Sequence, residues 1–104
     1  MAHTVVFTSE AEAQFTELYR YISRAASPEI AARFTDAIVT YCESLQNFPR
    51  RGLKRDDIRP GLRTTSFRKR VVIAFNVERE RVNIIGVFYG GQNYETKLGE
   101  AGNL

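Results

Sequence analysis

A chain of 104 residues with 43% hydrophobic content is long enough for one folded core and too short for two, which predicts a single domain over residues 1–104. A single cysteine, Cys42, and a single histidine, His3, exclude an intramolecular disulfide, a cysteine-based metal site and a histidine-containing triad or zinc cluster, so we expect no cofactor and no metal. No apolar run approaches the ~20 residues of a membrane helix, and the first residues have no signal-peptide pattern, which favours a cytoplasmic protein without membrane contact.

Positive charge is concentrated in one stretch of the chain. The formal net charge is +3, but residues 50–70 hold nine Lys and Arg against two Asp, a local charge of +7. We call this stretch the basic block; its nine cations are Arg50, Arg51, Lys54, Arg55, Arg59, Arg63, Arg68, Lys69 and Arg70. A solvated loop accounts equally well for any one of these residues. As a group, clustered cations attract nucleic acid or an acidic protein partner.

The first half of the sequence predicts a strand followed by a helical hairpin. The segment TVVFT suits a short strand, and Ser9 and Glu12 have the spacing of a capping box, which places the first helix start at Ser9. Ser27 and Pro28 predict the N-cap and first residue of a second helix. The apolar faces are Phe15, Leu18, Tyr19 and Ile22 in the first helix, and Phe34, Ile38, Tyr41, Leu45 and Phe48 in the second.

The second half predicts a meander of strands. Pro60 and Gly61 occupy the central positions of a type II turn, and strands follow near residues 63–67, 71–77 and 82–88. The charged pair Arg68 and Lys69 separates the first two strands, and residues 78–81 separate the next two. The predicted fold class is α+β, with a short N-terminal strand, a helical hairpin and a three-strand antiparallel meander, forming one sheet covered by the helices.

Several segments along nearly the whole chain carry a family resemblance. They are LYRYI at 18–22, FPRRG at 48–52, PGLR at 60–63, VVIAFNV at 71–77 and VNIIGVFYGGQNYE at 82–95. In their order and spacing they resemble the RelE/ParE superfamily of toxins from type II toxin-antitoxin systems, and the FPRRG and PGLR pair favours the ParE side. The resemblance implies a role in plasmid stabilisation, an antitoxin that wraps the toxin, a homodimer or toxin-antitoxin hetero-oligomer, and DNA gyrase or the ribosome with its mRNA as target.

The end of the last predicted strand matches the superfamily only in part. Tyr89 stands where the family commonly has His or Tyr, but Gly90, Gly91 and Gln92 stand where RelE-type members tend to have arginines. A metal-independent ribonuclease needs cations and groups that move protons. Its catalytic candidates are Tyr89, Arg63 and Arg70. A tyrosine of ordinary pKa near 10 is a poor base at neutral pH, so this alternative lacks an evident base.

That deficit favours a binding mechanism. The resemblance implies that ParE-type toxins inhibit DNA gyrase by binding it and trapping its cleaved complex with DNA. The predicted target-binding or partner-binding residues are Arg50, Arg51, Lys54, Arg55, Arg63, Arg68 and Tyr94. Three other hypotheses stay open: a nucleic-acid-binding module in which Tyr89 or Tyr94 stacks on bases, an interaction protein whose positive half binds an acidic partner, and a toxin fold with another target or no toxicity.

Overall fold

The computed structural model describes residues 3–90 and Leu98, and residues 3–90 form two helices and five strands. In chain order these are β1 (Thr4–Phe7), α1 (Ser9–Ala25), α2 (Pro28–Ser44), β2 (Leu53–Lys54), β3 (Arg63–Phe67), β4 (Val71–Glu78) and β5 (Arg81–Tyr89). The α+β class and the predicted order are confirmed. The two-residue strand β2 was not predicted, since a strand this short has no detectable alternation.

The five strands form one mixed sheet in the order β1-β5-β4-β3-β2. Strands β3, β4 and β5 form the predicted antiparallel meander, and β2 adds to its edge in antiparallel orientation. Strand β1 instead pairs in parallel with β5. A parallel neighbour requires a long crossover connection, and the helical hairpin forms the first part of the connection here.

The predicted turns have the expected geometry. Gly61 has φ +80°, and the Leu62 amide donates to the Arg59 carbonyl at 3.1 Å, as in a type II turn. The reversal between β3 and β4 places both Arg68 and Lys69 in the left-handed region, with φ 51° and 58°. Two positive φ angles are the pattern of a type I′ hairpin turn, whose twist matches the flanking strands.

The ends of the helices differ from prediction at two points. Thr8, not Ser9, is the N-cap of α1: its backbone is extended, and its hydroxyl accepts from the Ala11 amide at 3.2 Å. Ser9 is already helical, so the predicted capping box with Glu12 does not form. Ser27 and Pro28 begin α2 as expected.

Helix α2 ends at Ser44, four residues before the predicted end of its apolar face. The amides of Leu45, Gln46 and Asn47 donate three residues back instead of four, which tightens the chain and turns it out of the helix. Leu45 stays buried, but Phe48 is 57% exposed and was wrongly assigned to the core. Tyr19, expected on the buried face of α1, is 39% exposed because the buried stripe follows Ala11, Leu18 and Ile22.

Each face of the sheet carries its own apolar cluster. The main core lies between the helices and the sheet and includes Leu18, Ile38, Leu45, Phe75 and Ile84. On the opposite face a smaller cluster is buried beneath the segment that connects β2 and β3; its members are Leu62, Ala74, Phe88 and Leu98. The apolar runs of β4 and β5 are continuous because both of their faces are covered. Within the described residues, no helix has the length and apolar character needed to cross a membrane.

Candidate functional site

A row of aromatic side chains begins on α1 and continues over the end of β5 and α2 to β3. We call it the aromatic row; its members are Tyr21, Tyr89, Phe34, Phe67 and Tyr41. Consecutive ring centroids are 5.7, 6.1, 6.1 and 5.3 Å apart. These separations are those of attractive aromatic pairs. Residues from four elements form the row, which is why sequence spacing could not predict it.

Two arginines of the basic block lie over the aromatic side chains. The Arg68 guanidinium carbon is 4.9 Å from the Phe67 centroid and 6.0 Å from that of Phe34. Arg51 lies 5.5 Å from the Tyr41 centroid and 5.1 Å from that of Phe48. Each such contact contributes about 0.5–1 kcal/mol at an exposed site. Both arginines are exposed, so they present positive charge to solvent while their positions are restrained by aromatic rings.

A second group of cations lies on β2, on β3 and in the loop after α2; its members are Lys54, Arg63 and Arg50. Lys54 pairs with Arg63 across β2 and β3, and the Arg63 Nη1 donates to the Arg50 carbonyl at 2.8 Å. Arg50 and Lys54 are exposed, while Arg63 is half-buried. Arg63 therefore has a structural role in holding the loop after α2, in addition to the charge that sequence reasoning assigned to it.

Two arginines of the basic block differ from the rest. Arg55 forms an ion pair with Asp57, with 2.9 Å between Nη2 and the carboxylate. The hydrogen bonds from Arg55 lower the pKa of the Asp57 carboxyl. Arg59 reaches the other face of the sheet, where its Nη2 donates to the Leu98 carbonyl at 3.2 Å. The basic block therefore does not form a single surface.

The catalytic candidates of the nuclease hypothesis are only partly brought together. Tyr89 pairs with Val71, and the Gly90 amide donates to the Arg70 carbonyl at 3.1 Å, so Tyr89 and Arg70 share one end of the sheet. Arg63 pairs with Phe75, four residues further along β4 than Val71. At the usual rise per residue this is about 13 Å along the strand, so Arg63 is remote from Tyr89.

A cavity of about 350 Å³ lies beside Tyr89, between α1 and the end of β5. It is lined by Gln14, Glu17, Leu18, Tyr21, Val87, Tyr89 and Gly90. Sequence reasoning missed Gln14 and Tyr21. The available signal for Tyr21 was its position in LYRYI, off the stripe formed by Leu18 and Ile22. The predicted residues Tyr94, Gly91 and Gln92 lie outside the described residues.

Metal binding has no candidate site in residues 3–90 or at Leu98, where no three His, Cys, Asp or Glu side chains are grouped suitably. The aromatic row provides aromatic surface and the phenol groups of its tyrosines, and the arginines that lie over it provide positive charge.

Comparison with known proteins identifies the family. The model of the ParE toxin of type II toxin-antitoxin systems matches residues 5–94. The chain belongs to the ParE toxin family. It is 28% identical over 96 residues to Toxin ParE3 of Caulobacter vibrioides, a match that covers 92% of this chain and 95% of that protein.

Two solved structures share the fold of this ParE toxin. The chromosomal ParDE toxin-antitoxin system from P. aeruginosa matches with a TM-score of 0.75 and 22% identity, covering 86% of this chain and 97% of that one. The toxin-antitoxin complex RelBE2 from Mycobacterium tuberculosis matches with a TM-score of 0.59 and 22% identity, covering 86% and 99%. The match of the ParE family model to residues 5–94 confirms the predicted RelE/ParE superfamily and its ParE side.

Proposed function

We propose that this ParE toxin inhibits DNA gyrase in the cytoplasm by binding it, and that a cognate antitoxin neutralises it. The observation that carries the proposal is the ParE family match over residues 5–94. Sequence reasoning reached the same mechanism from the lack of a neutral-pH base. A gyrase-bound inhibitor needs a surface with suitable shape and charge and performs no reaction of its own.

The aromatic row and its cations support binding as the mode of action. Arg51, Arg68 and Lys54 are exposed and positively charged, and Tyr89, next to Tyr21 in the row, is half-buried. A complex of gyrase with cleaved DNA is an anionic target for such a surface. The single histidine, His3, lies directly before β1, and its amide donates to the Gln46 carbonyl at 3.0 Å. It adds no base to the end of β5.

We expect the antitoxin to cover the outer edge of β3 and the cations beside it. Strand β2 pairs with β3 only at Arg63 and Thr64, so among residues 3–90 no strand pairs with the outer edge of β3 from Thr65 to Phe67. Arg68 follows that edge directly. An acidic and apolar antitoxin segment fits this surface as an added strand or a helix. The ParDE and RelBE2 structures support the presence of such a partner, because each is a toxin-antitoxin system or complex.

Co-expression tests the antitoxin. The antitoxin should restore growth and co-purify with the toxin in a stable complex. Deleting the C-terminal half of the antitoxin should abolish both effects. A complex that persists without that half would contradict the assignment of the partner to this surface.

Induction of the toxin alone tests the target. We expect DNA synthesis to stop first, with a DNA damage response. With purified gyrase we expect loss of supercoiling and accumulation of cleaved DNA. An immediate arrest of protein synthesis with intact gyrase activity would overturn the proposal.

The second candidate is a RelE-type, ribosome-dependent mRNA endonuclease. Two observations favour it: the fold is shared with RelBE2, and Tyr89 and Arg70 lie at the same end of the sheet. Cleaved messenger RNA on translating ribosomes after induction would establish this alternative, and its absence would exclude it.

A further inference from the structure

Strand β5 extends beyond the strand that flanks it. Strand β1 pairs with β5 from Arg81 to Ile84, and the last backbone bond between them runs from the Thr8 amide to the Ile84 carbonyl at 3.1 Å. The chain then enters α1. From Ile85 onward, no strand within residues 3–90 flanks β5 on that side. Backbone groups at such an edge need other partners when they are shielded from water.

The N-cap residue of α1, Thr8, and a residue of its second turn, Gln14, supply those partners. The Thr8 hydroxyl donates to the Ile85 carbonyl at 3.3 Å while it also caps the helix. Two residues further along β5, the Val87 amide donates to the Gln14 Oε1 at 2.6 Å, and this hydrogen bond is partly buried. Helix α1 thus continues the edge of the sheet with side chains where β1 has ended.

The Gln14 contact lies just after a β-bulge. Ala74 pairs with Gly86, but the next residue, Phe75, pairs with Ile84, so Ile85 is an extra residue in β5. Side chains alternate between the faces of a strand, and one extra residue reverses the alternation beyond it. Ile84 and Val87 accordingly both belong to the helix-side core, although they are an odd number of residues apart.

The bulge decides where Tyr89 points. Tyr89 packs with the helix-side core beside Val87, whereas Ile85 and Phe88 pack on the opposite face. Without the extra residue, Tyr89 would face away from Tyr21 and Phe34, the two rings it contacts.

Gly86, directly after the extra residue, leaves room for the Phe88 ring. A Cβ at this position would lie 2.7 Å from Cε2 of Phe88, whose ring is buried, and 3.3 Å from the Gln14 Oε1. Any larger residue would therefore displace either the Phe88 ring or the side chain that accepts from Val87.

We propose that Gln14 is a positioning residue for Tyr89: by accepting the Val87 amide it fixes the bulged end of β5 and holds Tyr89 in the aromatic row. The inference rests on the proposed function, in which the aromatic row is part of the gyrase-binding surface. Gln14 acts through the strand and does not itself contact the target.

The test compares two substitutions at the same position. Gln14→Met keeps the length and helix propensity of the side chain but removes the strong acceptor, and Gln14→Glu keeps an acceptor oxygen. Glu12→Gln, an exposed change two residues earlier on α1, is the control. Amide exchange at Val87 and the NMR signals of the Tyr89 ring report the local structure. Inhibition of purified gyrase reports the function.

In Gln14→Met we expect exchange of the Val87 amide to accelerate about 2- to 10-fold and inhibitory potency to fall by a similar factor, since one hydrogen bond is lost. The Tyr89 ring signals should shift. Gln14→Glu should keep the slow exchange of the Val87 amide, because an acceptor oxygen remains. Glu12→Gln should match the wild type in all three measurements.

Two results would overturn the inference: unchanged Val87 exchange and Tyr89 signals in Gln14→Met, or altered signals with undiminished inhibition. Failure of the wild-type protein to inhibit gyrase is a different result. It would refute the proposed function, while the exchange and ring signals would still show whether Gln14 positions Tyr89.

Discussion

Replacing Tyr89 by Phe separates the two candidate mechanisms. The change removes one oxygen and keeps the ring, so the contacts with Tyr21 at 5.7 Å and with Phe34 at 6.1 Å are retained. If the toxin acts by binding gyrase, the substitution removes at most one hydrogen bond, about 0.5–1.5 kcal/mol. Affinity should fall about 2- to 12-fold, and toxicity should weaken but persist.

The nuclease alternative predicts a much larger effect of the same substitution. A phenol that transfers a proton during RNA cleavage contributes about 10²- to 10⁴-fold to the rate, and Phe cannot replace it. Growth after graded induction, incorporation of labelled thymidine and amino acids, and gyrase supercoiling assays distinguish the two magnitudes. We expect toxicity to persist, with DNA synthesis as the process that stops.

The control for Tyr89→Phe is a cooperative thermal unfolding transition together with binding of the antitoxin, both of which should be retained because the ring is kept. Complete loss of toxicity in a Tyr89→Phe protein that passes this control, together with cleaved messenger RNA in cells expressing the wild type, would refute the binding mechanism.

Three further predictions follow from the burial and charge of single residues. Leu45→Asp places a charge at a site with 0% exposure and should abolish folding, whereas Leu53→Asp, at 70% exposure, should leave thermal unfolding nearly unchanged. Burial raises the pKa of the Cys42 thiol from 9.0 to about 12, so alkylation of the folded protein at pH 8 should be at least about 10³-fold slower than alkylation in urea. The neutral thiol also stabilises the folded state below pH 9.0, and this contribution to the free energy of unfolding should be lost as the pH rises toward 12. Lys54→Glu, on the exposed edge strand, should weaken binding of the acidic antitoxin by up to about tenfold at low salt and less at high salt, and an effect independent of salt would contradict the assigned surface.

The structure also changes how charge reversal at Arg63 should be interpreted. Sequence reasoning treated Arg63 as a source of charge for either target. Its Nη1 also donates to the Arg50 carbonyl at 2.8 Å, so Arg63→Glu would release the loop after α2 in addition to reversing a charge. A loss of toxicity in Arg63→Glu therefore does not isolate electrostatics. The Lys54 side chain makes no such contact with the backbone among the described hydrogen bonds, so Lys54→Glu tests the contribution of charge more directly.

Periodicity and turn chemistry predicted most of the fold. The helical hairpin and the meander each rest on local patterns that a sequence displays directly, such as Ser27-Pro28 at the start of α2 and Pro60-Gly61 before β3. One error occurred where two local signals compete. Thr8 and Ser9 are adjacent residues that can both cap a helix, and only the backbone geometry shows that Thr8 does so.

The candidate site was predicted less well, since it depends on contacts between distant segments. The basic block indicated an electropositive protein, but its residues divide among the aromatic row, an ion pair with Asp57 and the far face of the sheet. Charge along a sequence does not specify which face each residue occupies. The aromatic row likewise joins rings from α1, α2, β3 and β5, whose proximity follows from the packing of the hairpin on the sheet.

Tyr89 is a residue that the sequence identifies as a candidate while leaving its neighbours in the fold unpredicted. The apolar run from Val82 to Phe88 is typical of a strand buried on both faces. Such a run has no alternation of polar and apolar residues from which the face of each side chain can be inferred. The single extra residue at Ile85 then reverses the orientation of everything beyond it. Gly86, next to the bulge, leaves room for the Phe88 ring, and Gln14, which lies 73 residues from Val87 in sequence, accepts the Val87 amide. The proposed target-binding surface therefore involves α1, which contributes Gln14 and Tyr21, as well as the strand that carries Tyr89.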